Sequence, residues 1–239
     1  MEGWWSELAE RRLEPELMDQ PGLTLDELEG ALRGLARVNW LSGTAKGFWK
    51  SIRPLVEESG SSPLHLLDVA CGGGDIAIQL AQLAQRMGLR LKVSGCDINP
   101  ESLALAERRA MGAGVEVSFF RADVINESLP KGVDIVCSSL FLHHLETDAV
   151  VQLLVNMREA ATRLVLVSDL IRSRWGFVQT WCGIRLLTRS RICHVDGPLS
   201  VRAAFTLREA VDLAERAGMV GASVSKRWPE RFLLTWARS

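Results

Sequence analysis

The chain contains no tyrosine at all among its 239 residues, so it has no Tyr-x-x-x-Lys pair of the kind that serves one class of nicotinamide oxidoreductases. Its net charge is only −1, which leaves no overall basic field to draw in nucleic acid. No apolar run approaches the length of a membrane span, and the opening Met1-Glu2-Gly3-Trp4-Trp5 lacks the basic start of a signal peptide. There are five cysteines (Cys71, Cys96, Cys137, Cys182, Cys193) and none stands in C-x-x-C spacing. Three of them fall in expected strands or at strand ends, which predicts reduced, buried thiols and a cytoplasmic protein. Internal repeats and low-complexity segments are missing too.

What is present is ordinary globular material: 47% hydrophobic and 24% charged residues, enough for one α/β domain with a buried core and an appendage. The chain is organised around Leu64-His65-Leu66-Leu67-Asp68-Val69-Ala70-Cys71-Gly72-Gly73-Gly74-Asp75. It opens as an apolar run of the length that a buried parallel strand needs. A glycine cluster follows, where the missing Cβ atoms permit a sharp turn and close approach of a ligand. A helix then begins, its N-terminus offering unpaired N–H groups to a ligand oxygen. The spacing departs from the dinucleotide pattern G-x-G-x-x-G. Asp75, at the helix start, would repel a pyrophosphate and suit a cationic ligand without phosphates.

Before this stretch, residues 1–22 are punctuated by Pro15 and Pro21, with Trp4, Trp5, Leu8, Leu13 and Leu17 as an apolar set. Thr24 and Glu27 form a capping-box pattern, and Leu25, Leu28, Leu32, Leu35, Val38 and Leu41 recur at helical spacing. A second helix, from about Thr44 to Glu58, carries Phe48, Trp49, Ile52, Leu55 and Val56. These stripes read either as core packing or as a lid, with 35–40 the place for lid contacts. The boundary between a helical arm, 1–60, and the main domain, 61–239, falls near Gly60-Ser61-Ser62-Pro63. Strands follow at Leu64–Ala70, Leu91–Cys96, Val115–Arg121, Val133–Ser139 and Leu164–Asp169, separated by helices, which implies right-handed crossovers and a parallel sheet covered on both faces. A capped helix from Thr206 stops at Gly218, and two strands, about Gly221 to Arg227 and Phe232 to Ala237, make an antiparallel hairpin.

Asp68-Val69-Ala70-Cys71-Gly72-Gly73-Gly74-Asp75 resembles the first motif of class I S-adenosylmethionine-dependent methyltransferases, roughly acidic-x-Gly-x-Gly-x-Gly, with Ala70 in place of the first glycine. The parallel sheet finished by a hairpin is similar to that family's arrangement. The resemblance, covering about Leu64 to Arg238 apart from one insertion, implies a Rossmann-like, seven-stranded, mostly parallel sheet with an antiparallel C-terminal hairpin, an N-terminal helical arm and a helical cap. It implies S-adenosyl-L-methionine as cofactor, its methionine part wrapped by the loop of Asp68, Ala70, Cys71, Gly72 and Gly74. Asp97, with Ile98, follows strand two, where a carboxylate accepts both ribose hydroxyls. Asp123 and Val124 follow strand three, where in this family the acid accepts the adenine amino group and the next residue packs on the ring. Taken alone, each acid also reads, less readily, as a loop cap.

After strand four comes Ser138-Ser139-Leu140-Phe141-Leu142-His143-His144-Leu145, which resembles the family's loop beneath the transferable methyl. Displacement at a sulfonium methyl has a good neutral leaving group, so the enzyme must mainly align the nucleophile. A hydroxyl nucleophile gains from a base near neutral pKa, and His143 or His144 suits that task; one of two adjacent histidines also commonly packs on a neighbouring helix. His65, early in strand one, reads as structural. No metal is expected, the adjacent histidines being the only cluster of that kind.

The insertion at about 171–205 is far longer than an ordinary connection. Phe177, Trp181, Ile184 and Leu187 lie at helical spacing, ringed by Arg172, Arg174, Arg185, Arg189 and Arg191. His194 and Asp196 could supply a base and its orienting acid, which requires non-helical backbone there. Insertion and arm together resemble bacterial methyltransferases encoded beside type III polyketide synthases, which act on phenolic or quinone-type lipids. That resemblance implies secondary metabolism and a small apolar aromatic acceptor, with oxygen favoured over nitrogen or carbon. The arginine-ringed cap also suits contact with a membrane surface, a homodimer is a further expectation, and Trp4, Trp5 and the N-terminal helices would be the interface if the chain were a non-catalytic partner subunit. The rivals are a nicotinamide oxidoreductase, a non-catalytic cofactor-binding subunit, and a nucleic-acid methyltransferase. The last would carry Asn/Asp-Pro-Pro-aromatic after strand four, which this chain lacks.

Overall fold

A computed structural model describes residues 8–20 and 22–238. Trp4, Trp5 and Pro21 therefore lie outside the described residues. The first long helix, α1 (Leu25–Ser42), starts at the expected capping box: Thr24 Oγ1 accepts from the Glu27 amide, and the Thr24 amide donates to Glu27 Oε2. Gly43, in the left-handed conformation at φ +66, ends α1, and α2 (Thr44–Glu58) departs at once.

The remaining elements alternate as the pattern requires: β1 (Leu64–Val69), α3 (Asp75–Arg86), β2 (Leu91–Asp97), α4 (Pro100–Ala113), β3 (Val117–Arg121) and β4 (Val133–Ser139). Then come α5 (Thr147–Ala160), β5 (Ala161–Leu170), α6 (Arg174–Leu187), α7 (Arg191–Ala203), α8 (Leu207–Arg216), β6 (Ser223–Arg227) and β7 (Arg231–Ala237). The seven strands form one sheet in the order β3-β2-β1-β4-β5-β7-β6. β1 to β5 are parallel, and β7 is antiparallel to both β5 and β6. Successive residues of a strand face opposite sides, so Leu66 packs with Phe48, Ile52, Ile76 and Leu80 while Leu67 packs with Leu153, Leu154 and Phe232. Helix α2 thus belongs to the sheet's own core, its stripe being core packing. Helix α1 lies instead over the glycine loop and the cap, where Arg37 donates to the Leu187 carbonyl.

Two features place the site. The chain leaves β1 toward β2 and β3 on one side and β4 and β5 on the other, so the crevice outside the carboxyl ends of β1 and β4 is the topological switch point. And because β7 runs antiparallel, its first residue, Arg231, pairs with Leu170 at the carboxyl edge of β5.

The insertion departs from the sequence expectation. Residues 191–203 are helical in spite of Gly197-Pro198, with Ser190 as N-cap. A helix turns residues two apart away from each other, so His194 and Asp196 do not pair: His194 Nε2 donates to the Thr188 carbonyl (2.8 Å), and Asp196 accepts from the amides of Leu17 (2.8 Å) and Met18 (3.0 Å). Arg172 is likewise part of the frame rather than the cap's surface ring. It is buried, forks onto Glu209 (2.7 and 2.9 Å) and donates to the Ala204 carbonyl.

Candidate active site

The glycine loop sits at the end of β1. Gly74 is left-handed, at φ +73, and a Cβ added there would meet Ala106 Cβ and Phe119 Cζ, each at 2.9 Å. Ala70 is left-handed as well, at φ 54, where the family pattern has glycine. Asp97, at the end of β2, accepts the Gly72 amide on Oδ2 (2.8 Å) and the Asn99 amide on Oδ1 (2.9 Å). A carboxylate oxygen can accept two hydrogen bonds, so these anchors aim the group and remain compatible with ribose hydroxyls. Ile98 beside it exposes 54% of its surface, whereas Val124 is buried. The Asp123 carboxylate is turned onto its own loop, accepting from the Ile125 amide, the Asn126 amide and Asn126 Nδ2; the Asn126 bonds hold its pKa below the ordinary carboxylate range. Asp68 is buried beneath the loop, and burial followed by the proximity of Asp75 raises its pKa to about 8. Desolvation raises Asp75 too, although Asn39 Nδ2 donates to it (3.0 Å). Cys71 is buried, its thiol pKa pushed up by desolvation, and Ser138 Oγ, at the end of β4, is buried without a hydrogen-bond partner.

These observations fit S-adenosylmethionine. A loop with no room for a Cβ can approach a ligand closely, and buried carboxylates favour a ligand that brings positive charge.

Next to the loop lies a cavity of about 420 Å³, between α1, α6, α7 and the segment after β4. Leu35, Val38, Leu140, Leu170, Ile184 and Leu187 supply its apolar walls. Its polar groups are few and grouped. His143 and His144 fall in a single 3₁₀ turn, Leu142–His144. His143 is buried and gives its Nδ1–H to Asp169 Oδ1 at 2.6 Å; Asp169 also accepts the amides of Phe141, His143 and Leu170. Burial alone would raise the Asp169 pKa, but the His143 charge and hydrogen bond, with the Leu170 amide, outweigh it and hold it low. With Nδ1 committed, Nε2 of His143 stands 4.0 Å from Glu16 Oε1, and His144 Nδ1 stands 3.8 Å from Glu16 Oε2. Arg231, buried, donates to Asn39 Oδ1 and Thr44 Oγ1 (2.7 Å each), and its second terminal nitrogen has no partner. Burial lowers its pKa to about 10.

The structure therefore brings His143 and His144 together at the cavity, gathers Asp68, Ala70, Cys71, Gly72 and Gly74 with Asp97 around the loop, and sets Ser138 and Ser139 at the adjoining strand end. His194 stays in the corner between α6 and α7. Sequence reasoning missed Glu16, Asn39, Asp169 and Arg231. Asp169 could have been found, as the acid ending an apolar strand like Asp97 and Asp123; nothing local marks Glu16.

Residues 66–163 match the family model described as "Methyltransferase domain". The chain is similar to a demethylmenaquinone methyltransferase of Thermus thermophilus, 38% identical over 71 residues, 30% of each chain. It is also similar to a ubiquinone biosynthesis O-methyltransferase of Sodalis glossinidius, 31% identical over 126 residues, 52% of this chain and 45% of that one. The matched stretches thus span less than half the length of these relatives. Among solved structures, magnesium protoporphyrin IX methyltransferase from Synechocystis, with bound S-adenosylhomocysteine, superposes with a TM-score of 0.57 at 19% identity, over 82% of this chain and 84% of that one. At that identity the likeness is one of fold.

Proposed function

We propose that this chain, which carries a class I S-adenosylmethionine-dependent methyltransferase domain, methylates an oxygen of a small apolar aromatic acceptor, a phenol or quinol, held in the cavity beside the glycine loop. The observation that carries this reading is the buried Asp169–His143 pair with its second ring nitrogen at an apolar cavity. When bound, S-adenosylmethionine supplies an electrophilic methyl group on a cationic sulfur that leaves as a neutral thioether. Asp97 would take the ribose hydroxyls, Asp123 the adenine amino group, and Ile98 and Val124 would pack on the ring. Asp68, Ala70, Cys71, Gly72 and Gly74 would hold the methionine part, and Ser138 and Ser139 would bound the site at the adjoining strand end.

The apolar walls exclude water and orient the acceptor. His143 Nε2 removes the hydroxyl proton as the new O–C bond forms, and Asp169 stabilises the resulting imidazolium through Nδ1. A positioned base of this type contributes roughly 10²–10⁴-fold in rate. Glu16 stands near both rings, 4.0 Å from His143 Nε2 and 3.8 Å from His144 Nδ1. Aromatic compounds that bear a ring carbon as nucleophile are the second reading, since a base is needed for them too and carbon and oxygen methylation both occur among the names of similar proteins. The exposed Trp175, Trp181 and Leu186 on α6, beside Arg185, suit a lipid-borne acceptor delivered from a membrane surface, which flotation with anionic liposomes tests. Four buried free cysteines suit a reducing compartment such as the cytoplasm, and gel filtration decides between a monomer and a homodimer.

The test is calorimetric titration with S-adenosylhomocysteine, then turnover on phenols and quinols with the methylated position located by NMR. Asp97→Ala is expected to abolish cofactor binding. His143→Ala is expected to retain it and to lose about 100-fold or more in kcat. Full turnover in His143→Ala removes the base from the mechanism, and binding without turnover on any acceptor favours a non-catalytic subunit.

A further inference from the structure

Glu16, His143 and His144 each offer one ligand atom, and the three atoms lie within 4.8 Å of one another. We propose that they form a binding site for a divalent transition-metal ion of the zinc type, opening onto the acceptor cavity. All three residues line that cavity, so an ion held by them keeps a coordination position toward it.

The geometry is close to what such an ion needs. Ligand atoms around a tetrahedral zinc are about 3.3 Å apart, given bonds of about 2.0–2.1 Å. Glu16 Oε1 to His143 Nε2 is 4.0 Å and Glu16 Oε2 to His144 Nδ1 is 3.8 Å, and with one ligand atom from each residue all pairs lie within 4.8 Å, so the set has at most about 1.5 Å to close. The two imidazoles share one 3₁₀ turn with ring centroids 4.3 Å apart.

The surroundings are those of a built site. His143 gives its other nitrogen to Asp169, the carboxylate–histidine arrangement that fixes tautomer and ring orientation for metal ligands. Glu16 is buried, its Oε1 accepts from Ser200 Oγ (2.6 Å), and the amides of the next two residues are held by Asp196. A buried carboxylate is costly unless it is paired or ligates a metal, and imidazoles pair it only when protonated. Two nitrogens and one carboxylate oxygen select Zn²⁺, Co²⁺ or Fe²⁺ over Mg²⁺ and Ca²⁺, which take oxygen ligands. The inference does not rest on the proposed reaction. His143 Nε2 is either a ligand or a base, so the metal-bound and base-competent forms exclude each other at that atom.

The experiment uses the full chain, stripped with a chelator and titrated with Co²⁺ by visible spectroscopy and with Zn²⁺ by calorimetry. One equivalent is expected to saturate, with Co²⁺ bands of a four- or five-coordinate nitrogen–oxygen site. Glu16→Gln and His144→Ala are each expected to weaken binding at least tenfold, and Asp169→Asn by about 10–100-fold, as loss of an outer carboxylate typically does. Cys182→Ser, which removes the exposed thiol of the same cavity, is expected to leave the spectrum unchanged. The proposal is overturned if the parent shows no saturable binding, if folded Glu16→Gln and His144→Ala bind as tightly as the parent, or if Cys182→Ser abolishes the spectrum. Thermal melts identify a variant that fails to fold, in which case the other variant decides. Failure of S-adenosylhomocysteine binding alone leaves these outcomes intact.

Discussion

Ala70 and Leu140 both hold left-handed backbone, each at φ 54, and both border the site: one opens the glycine loop, the other lines the cavity. An L-residue with a Cβ pays roughly 1–2 kcal/mol there, which glycine avoids at the expense of some entropy in the unfolded chain. Ala70→Gly is therefore expected to raise stability by about 0.5–1 kcal/mol in urea unfolding; a loss would mean that the methyl group packs usefully. Asp169→Asn tests the histidine's support. The amide cannot stabilise an imidazolium and can hold the wrong tautomer, so kcat is expected to fall by about 10²–10⁴-fold. Affinity for S-adenosylhomocysteine should be unchanged, and the pH–rate profile should lose the limb that belongs to the base. In the sequence Asp169 was legible as a strand end, while its pairing with His143 was not, because only the turn after β4 brings that ring over β5.

At the scale of elements, residues 8–20 act as a strap. Arg11 donates to the carbonyls of Ala203, His143 and Leu145 and stacks on Phe205, 4.1 Å from its centroid. Asp196 then receives two backbone amides, and Glu16 is delivered to the cavity. Asp196→Ala leaves those amides without that partner in a part-buried place, and is expected to cost about 1–2 kcal/mol and to speed proteolysis within residues 8–20. His194→Ala removes only the bond to the Thr188 carbonyl, so a loss of about 1 kcal/mol is expected, with kcat per folded molecule preserved. If kcat collapses instead, the corner between α6 and α7 reaches the acceptor after all. The leucine stripe of α1 and the aromatic and aliphatic stripe of α2 read alike in sequence; packing separated them, putting that of α2 in the core while Leu35 and Val38 of α1 face the cavity. Helix α7 was hidden by Gly197-Pro198, whose local preference tertiary contacts override.

At the scale of the whole molecule, the carboxyl edge of the sheet concentrates buried acids, and stability should record it. Asp68 has a folded pKa of about 8 against an ordinary value near 4 in the unfolded chain. Between those values the folded state holds a proton that the unfolded state has released. Its contribution is therefore complete below about pH 4, falls as pH rises, and levels off above about 8. Urea unfolding across this range is expected to show a shallower decline in Asp68→Asn than in the parent. Equal slopes would place the charge elsewhere.

By itself the sequence determined the alternation of strands and helices, the capped helix starts, the glycine loop and the acids that end β2 and β3. All of these are local signals, carried by residues a few positions apart whose periodicity and turn chemistry suffice. What only the tertiary structure decided is who meets at the cavity. Glu16 comes from the strap, Asn39 from α1, His143 from the turn after β4, Asp169 from β5 and Arg231 from the first position of an antiparallel strand. No short-range pattern links them. They converge because a sheet with a switch point collects chain ends at one edge, and because the register of β7 against β5 sets Arg231 opposite Leu170.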